Sequence, residues 1–235
     1  SSSYPLLLIN DTSYLSSWKT LTLAAWSVIK VKNLEWITIQ WNLQSNGTSG
    51  NPVIITSIND HSIWWSDGWW TWTPSKWNWK YLYINGVWSN SSVLDYTHIR
   101  YAWYSNNRWV YLYNTSATIQ NGEVREILWD GIYTYEWTPS ILNNVISNST
   151  YNGIKVTSWI PVVSGNTIEN NTLYGIDAYN VDLRVWSDAV DINTIQSNGQ
   201  WKFAAQGIGI TTNGTLDSSS YPLLLINDTS YLSSW

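Results

Sequence analysis

Side chains able to do acid–base chemistry are scarce in this 235-residue chain, of which 11% is charged. Asp95, His98 and Arg100 lie close together in a segment that reads as one β-strand. Because side chains alternate between the faces of a strand, His98 and Arg100 share one face and Asp95 lies on the other. A catalytic dyad within that strand is therefore excluded.

The densest acids lie toward the C-terminal end, at Asp177, Asp182, Asp188 and Asp191. Cleavage of a polysaccharide needs clustered carboxylates, with a base or a basic partner beside them. We find no basic residue beside these acids at the repeat spacing described below. We therefore interpret them as polar turn and surface residues, and the sequence predicts no catalytic residue.

Metal sites are weakly indicated. Asp60 and Asp67 flank a loop that could bind calcium, although the spacing does not fit an EF-hand. His61 and His98 have no evident third ligand, and the chain contains no cysteine, so a zinc site is not predicted. We expect no cofactor, with calcium at Asp60 and Asp67 as the alternative.

Composition excludes several functions. The net charge is −5 and there is no run of basic residues, which argues against nucleic-acid binding. The longest apolar stretches, such as residues 6–9, are too short to cross a bilayer, and no signal peptide is recognisable. Because methionine is absent even at residue 1, we expect this chain to be part of a longer protein.

The two ends of the chain have the same sequence. Residues 1–18 and 218–235 both read SSSYPLLLINDTSYLSSW. This repeat predicts a tandem array in which residues 1–217 are one unit and residues 218–235 begin the next. The alternative is an engineered or terminally duplicated chain.

A shorter repeat, with a period of about 22 residues, lies within the unit. The segments that begin at Ala117, Pro139 and Pro161 are similar, and each is followed by Gly-Ile fourteen residues after its start. Copies near Ser92 and Asp188 fit if loops of three and five residues are inserted. Short runs of β-branched and aromatic residues at this period predict an all-β parallel solenoid of about 22 residues per coil. Such a unit would hold about ten coils and be about 48 Å long.

These repeats resemble the right-handed parallel β-helix repeat proteins of the pectate-lyase-like superfold, and in particular their extracellular archaeal and bacterial surface branch. The resemblance covers roughly residues 20–212 and implies the fold rather than an activity, since this superfold includes lyases, hydrolases, adhesins and passive fibres. It rests on three stretches, at residues 93–102, 143–154 and 165–176.

Tryptophan stands where such proteins usually have glycine, at Trp26, Trp41, Trp64, Trp65, Trp88 and Trp103. Glycine suits turns with positive φ, where an indole-bearing residue is sterically costly. Either this lineage uses tryptophan at its turns, or the protein in the cell does not carry tryptophan at all of these positions. The sequence leaves both explanations open.

Asn-X-Ser/Thr motifs predict N-glycosylation. The eight candidate asparagines are Asn10, Asn46, Asn90, Asn114, Asn148, Asn170, Asn213 and Asn227. Eight such motifs suit a surface glycoprotein, although the same residues are also common in turns.

Contacts between subunits are predicted at the repeated segment and at a belt of aromatic residues, because large apolar patches usually mark contacts. The belt runs from Trp64 to Tyr83 and includes Trp77, Trp79 and Tyr81. Its alternative roles are sugar binding and packing on the solenoid flank. The predicted contact residues are Tyr4, Pro5, Leu6, Leu7, Leu8, Ile9, Trp64, Trp65, Trp69, Trp70, Trp72, Tyr221, Leu223 and Leu225.

Together these features predict a non-catalytic structural subunit of an extracellular filament, sheath or fibre at the cell surface. Copies of the unit would stack in tandem or head to tail, so that residues 221–228 repeat the role of residues 4–11. The alternative is a secreted β-helix that binds or cleaves an acidic polysaccharide.

Overall fold

A computed structural model describes residues 6–11, 13–16, 18–63, 73–103, 109–157, 161–180, 193–200, 203–206, 209–210, 224–226 and 231–232. Up to residue 180 the chain winds through three parallel sheets in the order A, B, C, and each strand pairs with strands of the same sheet in neighbouring coils. The fold is therefore a parallel β-solenoid, as predicted.

Strands are numbered in chain order. Sheet A contains β1 (Leu6–Ile9), β4 (Val28–Val31), β7 (Val53–Ser57), β10 (Thr97–Arg100), β13 (Glu123–Arg125), β16 (Val145–Ser147), β19 (Thr167–Glu169) and β21 (Thr194–Gln196). Sheet B contains β2 (Ser13–Leu15), β5 (Ile37–Ile39), β8 (Leu82–Asn85), β11 (Val110–Tyr113), β14 (Ile132–Tyr135), β17 (Ile154–Thr157), β20 (Ile176–Tyr179), β22 (Phe203–Gln206) and β24 (Leu224–Ile226).

Sheet C contains β3 (Thr20–Ala24), β6 (Asn42–Asn46), β9 (Val93–Asp95), β12 (Thr118–Gln120), β15 (Ser140–Leu142) and β18 (Val162–Ser164). A separate pair is formed by β23 (Gly209–Ile210) and β25 (Tyr231–Leu232). The described residues include one helical element, a 3-10 turn at Val87–Ser89.

The predicted coil length is confirmed. Ile132, Ile154 and Ile176 align in sheet B at the predicted period. The predicted insertions are confirmed as well, since Thr118 aligns with Val93 and Thr194 with Thr167, three and five positions beyond that period. The estimate of ten coils was too high. Sheet A has eight strands, so seven turns separate its first strand from its last. The number is lower because several coils contain longer loops.

Columns of aliphatic side chains fill the solenoid interior. Val124, Ile146 and Ile168 align in sheet A and are completely buried. Each such side chain contributes about 1.5–3 kcal/mol through burial of apolar surface. Side chains alternate between the two faces of a strand, and one face of each strand contributes to these interior columns. The neighbouring residues in the strand therefore face outward.

Asparagines form hydrogen-bonded ladders at the corners of successive coils. Asn144, Asn166 and Asn193 occupy one corner of successive coils, and the Nδ2 of Asn166 donates to the Oδ1 of Asn193 at 2.9 Å. The backbone N–H of Asn144 donates to the Oδ1 of Asn166, also at 2.9 Å. These bonds satisfy buried polar groups at turns that no strand pairing reaches.

Positive φ at the corner residues explains part of the tryptophan pattern. Trp26 has φ of 70°, as expected for a glycine-like position, and Trp18 and Trp137 share this conformation at 66° and 63°. Trp41, Trp88 and Trp103 do not have positive φ. The glycine-like conformation is therefore found at Trp26 but not at those three, and Trp18 and Trp137 were missed. Trp64 and Trp65 lie outside the described residues.

Candidate functional site

The outer face of sheet B carries the most concentrated set of aromatic and ionisable side chains. Tyr83, Tyr111, Tyr133, Lys155 and Asp177 align on successive strands. The rings of Tyr83 and Tyr111 stack with centroids 5.2 Å apart, and those of Tyr111 and Tyr133 with centroids 4.8 Å apart. The Lys155 ammonium lies 5.9 Å from the centre of the Tyr133 ring.

Two aspartates flank one asparagine at the end of this row. Asp130 precedes β14, Asn152 occupies the same place one coil later, and Asp177 lies in β20. The Nδ2 of Asn152 donates to the Oδ1 of Asp130 at 2.7 Å and to the Oδ2 of Asp177 at 3.5 Å. We refer to Asp130, Asn152, Lys155 and Asp177 as the acid–lysine cluster.

Burial dominates the electrostatics of this cluster. Desolvation raises the pKa of Asp130 to about 6, against the opposing effects of Lys155 and of hydrogen bonds from Asn152. Desolvation also raises the pKa of Asp177, and Lys155 opposes it. Asp177 is 7% exposed and its Oδ1 has no hydrogen-bond partner. Because that oxygen is itself buried, leaving it without a partner costs free energy.

The cluster has the chemical means for proton transfer. One shared amide nitrogen contacts both carboxylates, so the contacting oxygens of Asp130 and Asp177 lie within about 6 Å of each other. An acid that titrates near neutral pH, a second carboxylate and an ammonium are the components of general acid–base catalysis.

The sequence interpretation of Asp177 was wrong in one respect. Lys155 stands one coil before Asp177 and is its direct neighbour in sheet B. A basic residue does therefore recur beside this acid at the coil period. Asp130 and Asn152, which are 22 residues apart, were missed, and the coil spacing applied to polar residues could have found them. Asp182, Asp188 and Asp191 lie outside the described residues.

A second polar group lies on the outer face of sheet A. Glu123 accepts a hydrogen bond from the Nη2 of Arg100 at 3.0 Å, and its carboxylate lies 3.4 Å from the Nδ1 of His98 and 3.1 Å from the Nε of Arg125. His98 and Arg100 share a face, as predicted. Burial lowers the pKa of His98, and Glu123 opposes that effect.

Asp95 does not belong to the same strand as His98, contrary to our prediction. It ends β9, and Tyr96, with φ of 43°, turns the chain into β10. The Oδ1 of Asp95 accepts a hydrogen bond from the Nδ2 of Asn121 at 2.8 Å. The two side chains therefore lie on different sheets.

Asp60, the described half of the calcium hypothesis, is completely buried. Its Oδ2 accepts a hydrogen bond from Thr56 at 2.7 Å and its Oδ1 from the Ser62 hydroxyl at 2.6 Å, while the Lys30 ammonium donates to its backbone carbonyl. Nowhere in the described ranges do three or more His, Cys, Asp or Glu side chains come together as a metal site. Asp67 lies outside those ranges, and the calcium hypothesis stays untested.

The glycosylation candidates differ in exposure. Asn10, Asn46 and Asn170 are exposed, whereas Asn90, Asn114 and Asn148 are partly buried. Asn213 and Asn227 lie outside the described residues. Glycosylation stays a prediction, and the three exposed sites are the most accessible of those described.

Leu7 and Leu8, of the predicted contact residues, are 46% and 43% exposed, while Ile9 is buried. Leu7, Leu8 and Ile9 border a cavity of about 420 Å³ at the first coil, which Leu15 and Leu21 also line. Leu6 begins β1 and Leu225 lies in β24. Tyr4, Pro5, Trp64, Trp65, Trp69, Trp70, Trp72, Tyr221 and Leu223 lie outside the described residues.

The described end of the aromatic belt is not a continuous surface. Trp77 is 60% exposed, but Trp79 is completely buried and its indole N–H donates to the carbonyl of Arg100 at 2.7 Å. Tyr81 and Tyr83 are also buried, at 6% and 8% exposure. Trp79, Tyr81 and Tyr83 therefore pack on the solenoid, which was the alternative role of the belt.

Comparisons with known proteins bear on the fold. A family model described as the right handed beta helix region matches residues 108–216. Neither the curated proteins nor the solved structures gave a significant match. In the part of the chain that the structure describes, no helix is long and apolar enough to span a membrane.

Proposed function

Because the chain is a parallel β-helix repeat protein, we propose that it is a structural subunit of an extracellular cell-surface filament, sheath or fibre. Its units stack end to end, in tandem or head to tail, and carry N-linked glycans at exposed asparagines. This architecture needs no catalysis, and the long ladders of paired strands make a unit that resists proteases because few backbone groups are unpaired.

One observation carries this proposal. The segment that repeats the first residues of the chain is paired onto the last coil, where β24 aligns with β22 and β25 with β23. The segment that begins a unit can therefore pair with the last coil of the unit before it. Among the described strands, β1, β2 and β3 each have a neighbour on one side only, so the first coil offers edges that another unit can cover.

Electron microscopy of the native material tests the proposal. Sheet A contributes eight strands to a unit, which at strand spacing gives an axial rise of about 40 Å per unit. We expect filaments with this rise or a simple multiple of it. Dispersed particles at physiological salt and concentration would refute the structural role.

The acid–lysine cluster favours a second candidate function, binding or cleavage of a polysaccharide. On the same face, the partly exposed rings of Tyr113 and Tyr135 stack with centroids 5.5 Å apart and offer flat surface to a sugar ring. Asp177, whose pKa is raised by burial and which is the neighbour of Lys155 in sheet B, is the acid of this candidate site. Glycan-array binding and reducing-end assays test this function, with Asp177→Asn as the variant. The matched control is Glu169→Gln on sheet A, which should leave any activity unchanged.

A further inference from the structure

The repeated segment does not occupy equivalent positions at the two ends of the chain. In the first copy, Leu6–Ile9 lies in sheet A and pairs with β4, and Ser13–Leu15 lies in sheet B and pairs with β5. In the second copy, Leu224–Ile226 lies in sheet B and pairs with β22. The expectation that residues 221–228 repeat the role of residues 4–11 is thus wrong as regards the sheet.

Both strands of the segment shift in the same direction. Tyr231–Leu232 repeats the sequence of residues 14–15, which lie in sheet B, yet it pairs with β23, the strand that follows sheet B in the winding order. At this end Phe203 aligns with Leu224 in sheet B, and Gly209 aligns with Tyr231 in the separate pair. Both separations match the coil period to within one position, so the two described strands of the second copy keep the coil spacing of the solenoid.

From this shift we infer a specific joint between units: the opening segment of one unit docks on the last coil of the preceding unit one sheet further round than it lies in its own coil. The docking partner is the second copy of the repeated segment, and the surface that receives it is the edge formed by β22 and β23. That this contact joins two units of a filament rests on the proposed function. The position at which the segment docks can be tested separately.

The shift has a geometric consequence. Three sheets make up one coil, so a displacement by one sheet rotates each unit by about a third of a turn relative to its predecessor. With a rise of about 40 Å per unit, equivalent faces of a filament return after three units, or about 120 Å. Stacking with the same sheets aligned would instead give a repeat of one unit.

Cysteine cross-linking tests the docking position, because the chain contains no cysteine of its own. Ala204 and Leu225 are direct neighbours on β22 and β24, at a separation that a disulfide spans. Leu225 is the counterpart of Leu8, which begins one row of aligned residues in sheet A. Gln196 is the last described residue of that row. Stacking with the same sheets aligned would therefore place Leu225 beside Gln196. The two double variants are A204C/L225C and Q196C/L225C.

A third double variant, T167C/T194C, joins neighbouring coils of sheet A and shows that the solenoid is folded and that adjacent-coil cysteines oxidise. After mild oxidation and peptide mapping, we expect A204C/L225C to cross-link within one chain to the same extent as this control, and Q196C/L225C to stay reduced. A cross-link in Q196C/L225C, or none in A204C/L225C while the control forms, overturns the inference.

This outcome is separate from that of the filament test. A cross-link in A204C/L225C with only dispersed particles by electron microscopy would keep the docking position and remove the filament. Filaments with the opposite cross-link would keep the filament and remove the rotated joint.

Discussion

Trp26 holds a left-handed backbone conformation, with φ of 70°, between β3 and β4. A residue with a Cβ atom pays about 1–2 kcal/mol in this region, whereas glycine does not. Glycine costs about 0.5–1 kcal/mol relative to alanine through its greater freedom in the unfolded chain. The difference predicts that W26G is more stable to unfolding than W26A by about 0.5–1 kcal/mol.

The comparison of glycine with alanine cancels the loss of the indole, which is absent from both variants. Trp36 provides the matched control, because its φ is not positive. It packs against the core, with its ring 5.6 Å from that of Tyr81. At Trp36 the order should reverse, and W36G should be less stable than W36A by about 0.5–1 kcal/mol.

Urea denaturation followed by circular dichroism measures these free energies of unfolding. If W26A proved equal to or more stable than W26G, the strain at Trp26 would not exist and the argument from φ would fail. The same result is expected at Trp18 and Trp137, which share the conformation. Positive φ is not confined to tryptophan, since Leu34 and Tyr101 share it. Peptide masses of native material show directly whether the protein in the cell carries tryptophan or glycine at these turns.

Three further predictions follow from buried polar groups. The raised pKa of Asp130, about 6, means that the neutral form is favoured in the fold, so the contribution of Asp130 to stability is largest below about pH 4 and falls by about 3 kcal/mol as the pH rises to about 6. Denaturation at several pH values should show this fall. Because burial also raises the pKa of Asp177, D130N should reduce the fall without removing all of it. E123Q should cost about 2 kcal/mol by leaving a buried guanidinium without its carboxylate, whereas E126Q, at a weaker ion pair of 3.8 Å, should change thermal stability little. N166A should lower the free energy of unfolding by about 3 kcal/mol, because it leaves polar groups of the asparagine ladder unpaired in two coils. Q196A, on the exposed surface, should leave it unchanged in the same denaturation assay. Equal losses in the two variants would refute the ladder's role.

The fold could be predicted from the sequence because a solenoid repeats one local solution. The aliphatic residues at Ile132, Ile154 and Ile176 recur at the coil length, and the Gly-Ile pairs mark the same corner each time. A single period thus determines both which strands pair and which side chains face the interior. The lengths of the inserted loops near residues 92 and 188 were also recoverable, since the pattern resumes after them.

Side chains that meet across coils were harder to find. His98 and Glu123 are aligned neighbours, but a loop is inserted between them, so the simple coil period does not connect them. Lys155 and Asp177 are separated by the simple period, but only a search for polar residues at that spacing would have paired them. The pKa of Asp130 depends on burial that no local pattern reveals.

The shifted docking of the second copy shows how far sequence identity can determine structure in such a fold. Residues 7–9 and 224–226 have the same letters, yet they pair in different sheets, because a parallel strand with alternating side chains fits any sheet of the solenoid whose edge is free. What selects the sheet is the length of chain that precedes the segment, which must bring it to an edge one coil away. A joint of this kind therefore depends on the length of the connecting chain more than on the contact residues. Insertions or deletions in residues 211–223 should alter the angle between units while leaving each unit folded.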